Sequence, residues 1–344
     1  MNYLTEYADI DFPRHPFTAV DALALCQMAY LKTEGIVPAD SFITFREMFR
    51  HADSEKMYED RLFGEIYREF MKKMAEAERY KDLEAGLYEE AVSEQEEYQF
   101  AAVTFRAPKD RHFVAFRGTD EKLVGWKEDF NMGYMQSLPS QEIALAYLNK
   151  IPGKGAVFVG GHSKGGSQAV YAAAKADRRV KNRISAVFSF DGMGLGEEFY
   201  SSKEYEEIRG RVTKIIPEES VIGTLFERPE NCLVVRSEGI GIKQHDFMNW
   251  NIRDGHFEYC DSLKPAARHL ADRLNKWIIS LDAAEKEHFV GSIYSLVMAC
   301  HPDEIYSLQD EAVKKVITVI NELRSMDDNS RREMRGILLK LIKA

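Results

Sequence analysis

The sequence predicts an α/β fold built on a mostly parallel sheet, and three observations lead there. Short apolar runs recur between about residues 98 and 260 and alternate with stretches of helical periodicity. Three of those runs, at 184–190, 212–216 and 232–235, are of the kind buried in a parallel sheet covered on both faces. A glycine-rich turn, Gly161-His-Ser-Lys-Gly165, stands between another such run and an alanine-rich helix.

Elements follow in order. The N-terminal part, to about residue 95, reads as helical. Thr18-Ala-Val-Asp21 has the form of a capping box and opens the apolar series Val20, Leu23, Ala24, Met28, Leu31. Thr44-Phe-Arg-Glu47 is a second such start. The Glu/Lys-rich stretch 55–89 reads as one or two surface helices, with Phe63, Ile66, Phe70 and Met74 on one face. Residues 98–105 and 112–116 form a strand pair around the turn Pro108-Lys-Asp-Arg111. A helix at 140–150, a strand at 156–159 and a helix at 168–176 come next. Residues 192–209 are either a lid or a crossover helix between two strands, and the crossover is favoured.

Beyond Ser262 the strand signals stop. Leu270, Leu274, Trp277 and Ile278 have helical spacing, as do Leu308, Ala312, Val316, Ile320 and Leu323. The expected division is a sheet domain over 1–261 and a helical appendage over 262–344. That appendage would pack on the sheet domain or on a second copy, which makes a homo-oligomer possible.

Composition bounds the function. The chain has 344 residues, 45% of them hydrophobic and 30% charged, enough for a substantial core. A net charge of −10, with no basic cluster beyond short runs such as Arg331-Arg332, argues against nucleic acid as a partner. The first residues lack a basic and an apolar region of export type, and the charge-free stretch 289–300 is too short to span a bilayer. The expectation is a cytoplasmic protein with no integral membrane association. Cys26, Cys232, Cys260 and Cys300 are scattered, so reduced thiols are expected, with no metal and no cofactor.

The turn at 161–165 carries the chemistry. G-x-S-x-G between strand and helix lifts a serine hydroxyl above a sheet, where a histidine can take its proton. Ser163 is the expected nucleophile. The backbone N–H of Lys164, opening the helix, would donate to the oxyanion of a tetrahedral intermediate. His162, locked in the turn, reads as structural, and a Ser–Lys dyad is rejected because adjacent residues around a tight turn point apart. The order of this architecture is serine, acid, histidine. His245 follows the 232–235 strand after a loop bearing Gly239 and Gly241, which suits a base; His256 is the reserve, while His269, His288 and His301 lie in or beside predicted helices. Glu218, Glu219, Asp191 and Asp246 all stand where an acid is possible.

Phe116-Arg-Gly-Thr119, then Trp126 and Asp129, then Gly161-His-Ser-Lys-Gly-Gly166, resemble the class 3 lipases, an α/β-hydrolase family, and Gln244-His-Asp246 follows downstream. The closer similarity is to a bacterial branch with a GHSKGG elbow and a QHD motif. Pro16-Phe-Thr-Ala-Val-Asp21, Phe190-Asp-Gly192 and Pro217-Glu-Glu-Ser-Val-Ile-Gly223 fall in that branch's order, so the resemblance spans roughly residues 3–255. It implies an oxyanion donor at Thr119, selects His245, and favours Glu219 as the acid through the register of Glu219-Ser-Val221. Arg117 and Asp129 are then expected as a structural ion pair. Ser167-Gln168 and Met193 depart from the branch's pattern near the expected pocket.

Together these readings imply a serine esterase of lipase-like type that forms an acyl-enzyme on Ser163, with a small-molecule or lipid ester as substrate. The alternatives are a non-catalytic binding protein on the same fold, or an acyltransferase or thioesterase using the same triad.

Overall fold

Adjacent strands carry the two-residue alternation that places the core. Phe113 pairs with Phe158 and Val114 with Val159 across two neighbouring parallel strands. The valines join Phe116, Val157, Ile184 and Val187 in one apolar cluster. Phe113 belongs to a second cluster with Ala115, Phe190 and Ile215, against which Phe158 packs. Successive side chains point to opposite faces of a strand, so the sheet has a core on each side.

The computed structural model describes residues 3–50, 54–58, 65–120, 125, 128, 131, 137–227, 232–282, 284–289, 291–292, 332, 336–337 and 340. The strands are β1 (Phe42–Thr44), β2 (Glu84–Ser93), β3 (Tyr98–Ala107), β4 (Arg111–Phe116), β5 (Val157–His162), β6 (Ile184–Phe190), β7 (Val212–Pro217), β8 (Leu233–Val235), β9 (Ile252–Arg253), β10 (His256–Phe257) and β11 (Tyr259–Cys260). Among the described residues, nine form one sheet in the order β1-β2-β3-β4-β5-β6-β7-β8-β11. β4 to β8 are parallel, and both flanks are antiparallel. β9 and β10 make a separate small ribbon.

Helices Pro139–Asn149 and Lys164–Lys175 cover one face, the second through Ala169, Ala172 and Ala173. Helix Ala19–Met28 covers the other and is buried from Val20 to Met28. Its capping box is present: the Asp21 carboxylate accepts from Thr18 N at 2.9 Å. The same buried carboxylate takes Arg79 through Nε and Nη2, each at 2.7 Å, and the Tyr80 hydroxyl at 2.8 Å. Arg79 also donates to the carbonyls of Ile10, His15 and Pro16, which ties the N-terminal arm to this helix. Helices on both faces of a mostly parallel sheet make this a three-layer α/β architecture, consistent with the α/β-hydrolase fold.

The expected all-helical N-terminal part is corrected. Glu65–Glu76 is a helix, but Glu84–Ser93 is a ten-residue strand and Phe42–Thr44 is another. The glutamates that resemble a solvated helix face are paired with distant bases: Glu84 with Arg106 at 2.6 Å, Glu89 with Lys150 at 3.2 Å, Glu90 with Arg117 at 2.9 Å. A register shift between Gly86 and Glu89, with Leu87 at φ 54°, also breaks the alternation that marks a strand. Between β6 and β7 run the short helices Gly196–Tyr200 and Lys203–Glu206, with Phe199 stacked on Tyr171 at 5.9 Å. That segment is a crossover.

No strand follows Cys260 among the described residues. Helix Pro265–Ser280 is clamped by Asn275, whose side chain bonds Thr224 O and Phe226 N, each at 2.8 Å. Trp277 packs edge-on against Phe289 and donates to the Ile337 carbonyl at 3.0 Å. The Leu308–Leu323 stripe lies outside the described residues.

Arg79→Ala leaves Asp21 buried without its cation, and such a broken pair costs about 3–5 kcal/mol. Urea denaturation is expected to show that loss, whereas Lys73→Ala, which breaks the exposed Lys73–Glu69 contact, shifts the midpoint within experimental error.

Candidate active site

β5 ends at His162 and a helix starts at Lys164, so one residue makes the whole turn. Ser163 makes it at φ 58°, ψ −133°, a left-handed conformation that a side chain adopts only when its surroundings impose it. The neighbours do so by close approach. A Cβ on Gly161 would lie 2.1 Å from the Gly165 carbonyl carbon, and one on Gly165 would lie 2.2 Å from Phe116 O. Ser163 N donates to Phe190 O at 2.9 Å, which fastens the turn to β6. Ser163 is half-buried. The N–H of Lys164 lies in the first helical turn, where no intrahelical acceptor exists. Its side chain points elsewhere: Lys164 Nζ meets Glu128 at 2.7 Å, both fully buried.

The end of β4 passes directly over this turn. A Cβ on Gly118 would fall 3.0 Å from Ser163 Cβ and 2.7 Å from His162 O. That contact brings Thr119 to the rim of the elbow. The next residue anchors it: Asp120 N donates to Gln99 Oε1 at 3.1 Å, and its carboxylate meets Gln99 Nε2, Lys32 Nζ at 3.1 Å and Arg117 at 3.5 Å. Arg117 therefore pairs with Glu90 and Asp120. Asp129, its expected partner, and Trp126 lie outside the described residues. Burial pushes the Glu90 carboxyl up, but Arg117 and Lys32 outweigh it and hold the group at about 2.

His245 closes the short 3₁₀ turn Gly241–His245, with a quarter of its side chain exposed. Its Nδ1 lies 2.6 Å from Oδ2 of Asp191, the residue after β6. Asp191 is buried and has φ 46°; its Oδ1 accepts from Ser220 Oγ and from Gly223 N at 3.1 Å. Burial pushes this carboxyl up, yet the bonds from His245 and Ser220 more than offset that, so its pKa is lowered. A carboxylate at Nδ1 accepts from it, so in the neutral imidazole the proton sits on Nδ1 and Nε2 is the acceptor.

The acid favoured from sequence, Glu219, is not the carboxylate that the structure brings to His245. Glu219 does not meet His245: it binds Lys264 Nζ at 2.6 Å and Gly241 N at 2.7 Å, while its own N–H donates to Gln244 Oε1 at 2.8 Å. It clamps both ends of the turn that carries His245. Glu218 also faces Lys264, at 3.5 Å. Asp246 caps Met248 N at 2.9 Å and accepts from the Tyr67 hydroxyl. His256 sits in β10 against His15, 5.7 Å between ring centres. His269 is exposed on helix Pro265–Ser280.

Sequence reading missed several contributors. His162 faces away from the elbow helix, toward Tyr30, and its ring lies 4.6 Å from the ring of His245. Gln244 holds the turn through Gly239 O, and its carbonyl accepts from Trp250 Nε1 at 2.8 Å. Ser220 orients Asp191. Asp191, one of the four carboxylates that the sequence left open, is the one that meets the His245 ring. The two departures noted from sequence touch one another, since Ser167 Oγ donates to Met193 O at 2.6 Å. Among the described residues no cluster of His, Cys, Asp or Glu is arranged to hold a metal, and no helix is long and apolar enough to cross a membrane.

Two outcomes are expected. Ser163→Ala and Ser163→Gly both lack the hydroxyl, but only alanine retains the strained Cβ, so the glycine variant is more stable by about 1 kcal/mol in thermal melts. Burial, with the neighbouring His245, depresses His162 from 6.5 to about 3. Between those values the unfolded chain binds a proton that the folded one does not, so this contribution to stability is lost as pH falls through that window. His162→Gln flattens the corresponding part of a stability–pH curve.

Among solved structures, an M37 lipase aligns with 76% of this chain and 80% of that chain, at 15% sequence identity and a TM-score of 0.38. A comparison with curated proteins finds no match. The Mbeg1-like sequence pattern covers residues 74–295, from the helix before β2 to beyond helix Pro265–Ser280, and the chain belongs to the Mbeg1-like family.

Proposed function

We propose that the protein is a serine hydrolase acting on a carboxylic ester, with Ser163 as nucleophile, His245 as base and Asp191 as the acid that orients it. The observation that carries this reading is the 2.6 Å bond from a buried, multiply hydrogen-bonded Asp191 to Nδ1 of a partly exposed His245. Ser163 Oγ attacks the ester carbonyl as Nε2 of His245 takes its proton. The oxyanion accepts from the Lys164 N–H and from Thr119. Collapse expels the alcohol, which receives the proton back from His245, and water then attacks the acyl-enzyme by the same sequence. A small soluble ester or a lipid ester is the substrate class.

A non-catalytic binding role is disfavoured by two observations. Ser163 is only half-buried, and His245 has its acid partner. Cytoplasmic location is part of the same proposal.

A fluorophosphonate is expected to label Ser163 alone, and Ser163→Ala to abolish labelling; label on Ser167 would overturn the assignment. On nitrophenyl esters, Asp191→Asn lowers kcat by about 10⁴-fold, as for other triads that lose the orienting carboxylate. Glu219→Gln, which only loosens the turn, costs far less. The reverse order would return the acid to Glu219.

A further inference from the structure

We infer that His162, the residue before the nucleophile, is a positioning residue for the base: its Nε2–H holds the backbone carbonyl of His245 and so sets where that imidazole stands over the elbow. The inference rests on the triad proposed above.

His162 Nε2 lies 2.9 Å from His245 O. A carbonyl only accepts, so His162 carries its proton on Nε2, and its Nδ1 is left to accept from the Tyr30 hydroxyl at 3.5 Å. Asp191 holds Nδ1 of the His245 ring and His162 holds its backbone, so the base is held at two points, by the last residue of β5 and the residue just after the adjacent β6. Because His162 is joined directly to Ser163, any shift of the elbow moves nucleophile and base support together.

The two imidazoles lie 4.6 Å apart and 32° from parallel. During acylation His245 becomes an imidazolium, and a neutral ring beside it is the arrangement that opposes this least. Burial and the neighbouring His245 keep His162 neutral down to about 3, so it does not compete for the proton. A histidine supplies what other residues do not in this place: a donor toward His245 O and an acceptor toward Tyr30 on one rigid ring.

Nitrogen-15 NMR of the wild-type protein tests the first half. His162 is expected as the neutral Nε2–H tautomer between about pH 5 and 9; an Nδ1–H tautomer, or titration in that range, overturns the inference. Kinetics on a nitrophenyl ester test the second half. His162→Phe keeps a ring and removes the donor, and a base displaced by about an ångström costs on the order of 10²-fold. That loss is expected in kcat, with KM unchanged, per folded protein counted by near-UV circular dichroism. His162→Gln restores a donor and recovers most of it. Equal kcat in wild type and His162→Phe, or no recovery with glutamine, overturns the positioning role alone. A wild-type protein whose Ser163 is never labelled by fluorophosphonate overturns the triad and this inference with it.

Discussion

Ser163 stands at φ 58°, and the rest of the site depends on that turn being held there. A conformation costing about 1–3 kcal/mol persists only where the surroundings over-determine it. Here they do so by backbone contact on several sides. Gly161 and Gly165 let strand and helix meet, Gly118 lets the end of β4 press on the turn, and Phe190 O takes the Ser163 N–H. Each of these contacts also places something around Ser163. The Gly118 approach carries Thr119, the bond to β6 places the turn beside the strand that Asp191 follows, and the helix start presents the Lys164 N–H.

Buried charge supports the same geometry at one remove. Arg117, Glu90, Asp120 and Lys32 form a network beneath Thr119, and Lys164 and Glu128 a buried pair behind the elbow. Such pairs add little net stability compared with apolar packing, because desolvation offsets the attraction. What they supply is direction. Asp120 cannot leave Gln99, Lys32 and Arg117 without stranding a buried charge, and the backbone at Thr119 is fixed in consequence. Arg79 and Asp21 do the same for the N-terminal arm that covers the other face.

The carboxylates divide the labour by burial. Asp191 is sealed among His245, Ser220 and Gly223, so its charge is directed at the imidazole. Glu219, nearer solvent, spends its oxygens on Lys264 and on Gly241 N. It shapes the turn that carries His245. Gln244 completes that turn from inside, while Asp246 and Trp250 fasten its exit. His245 is thus a surface-reachable group carried on a short segment anchored at nearly every residue.

Local pattern determined much of this protein. The apolar runs at 184–190 and 212–216, the strand pair around Pro108-Lys-Asp-Arg111, the capping box at Thr18 and the strand–glycine–serine–helix passage are all written in consecutive residues, because each reflects the periodicity or turn chemistry of one short segment. Tertiary structure decided what depends on residues far apart in the chain. β2 is a strand because Arg106, Lys150 and Arg117 arrive from elsewhere to pair with its glutamates, and no window around Glu84 contains them. Asp191 and Glu219 both follow buried strands, and both precede the histidine. Only the closing of the sheet, with β6 beside the elbow and Lys264 waiting for Glu219, settles which carboxylate faces the His245 ring and which holds its loop.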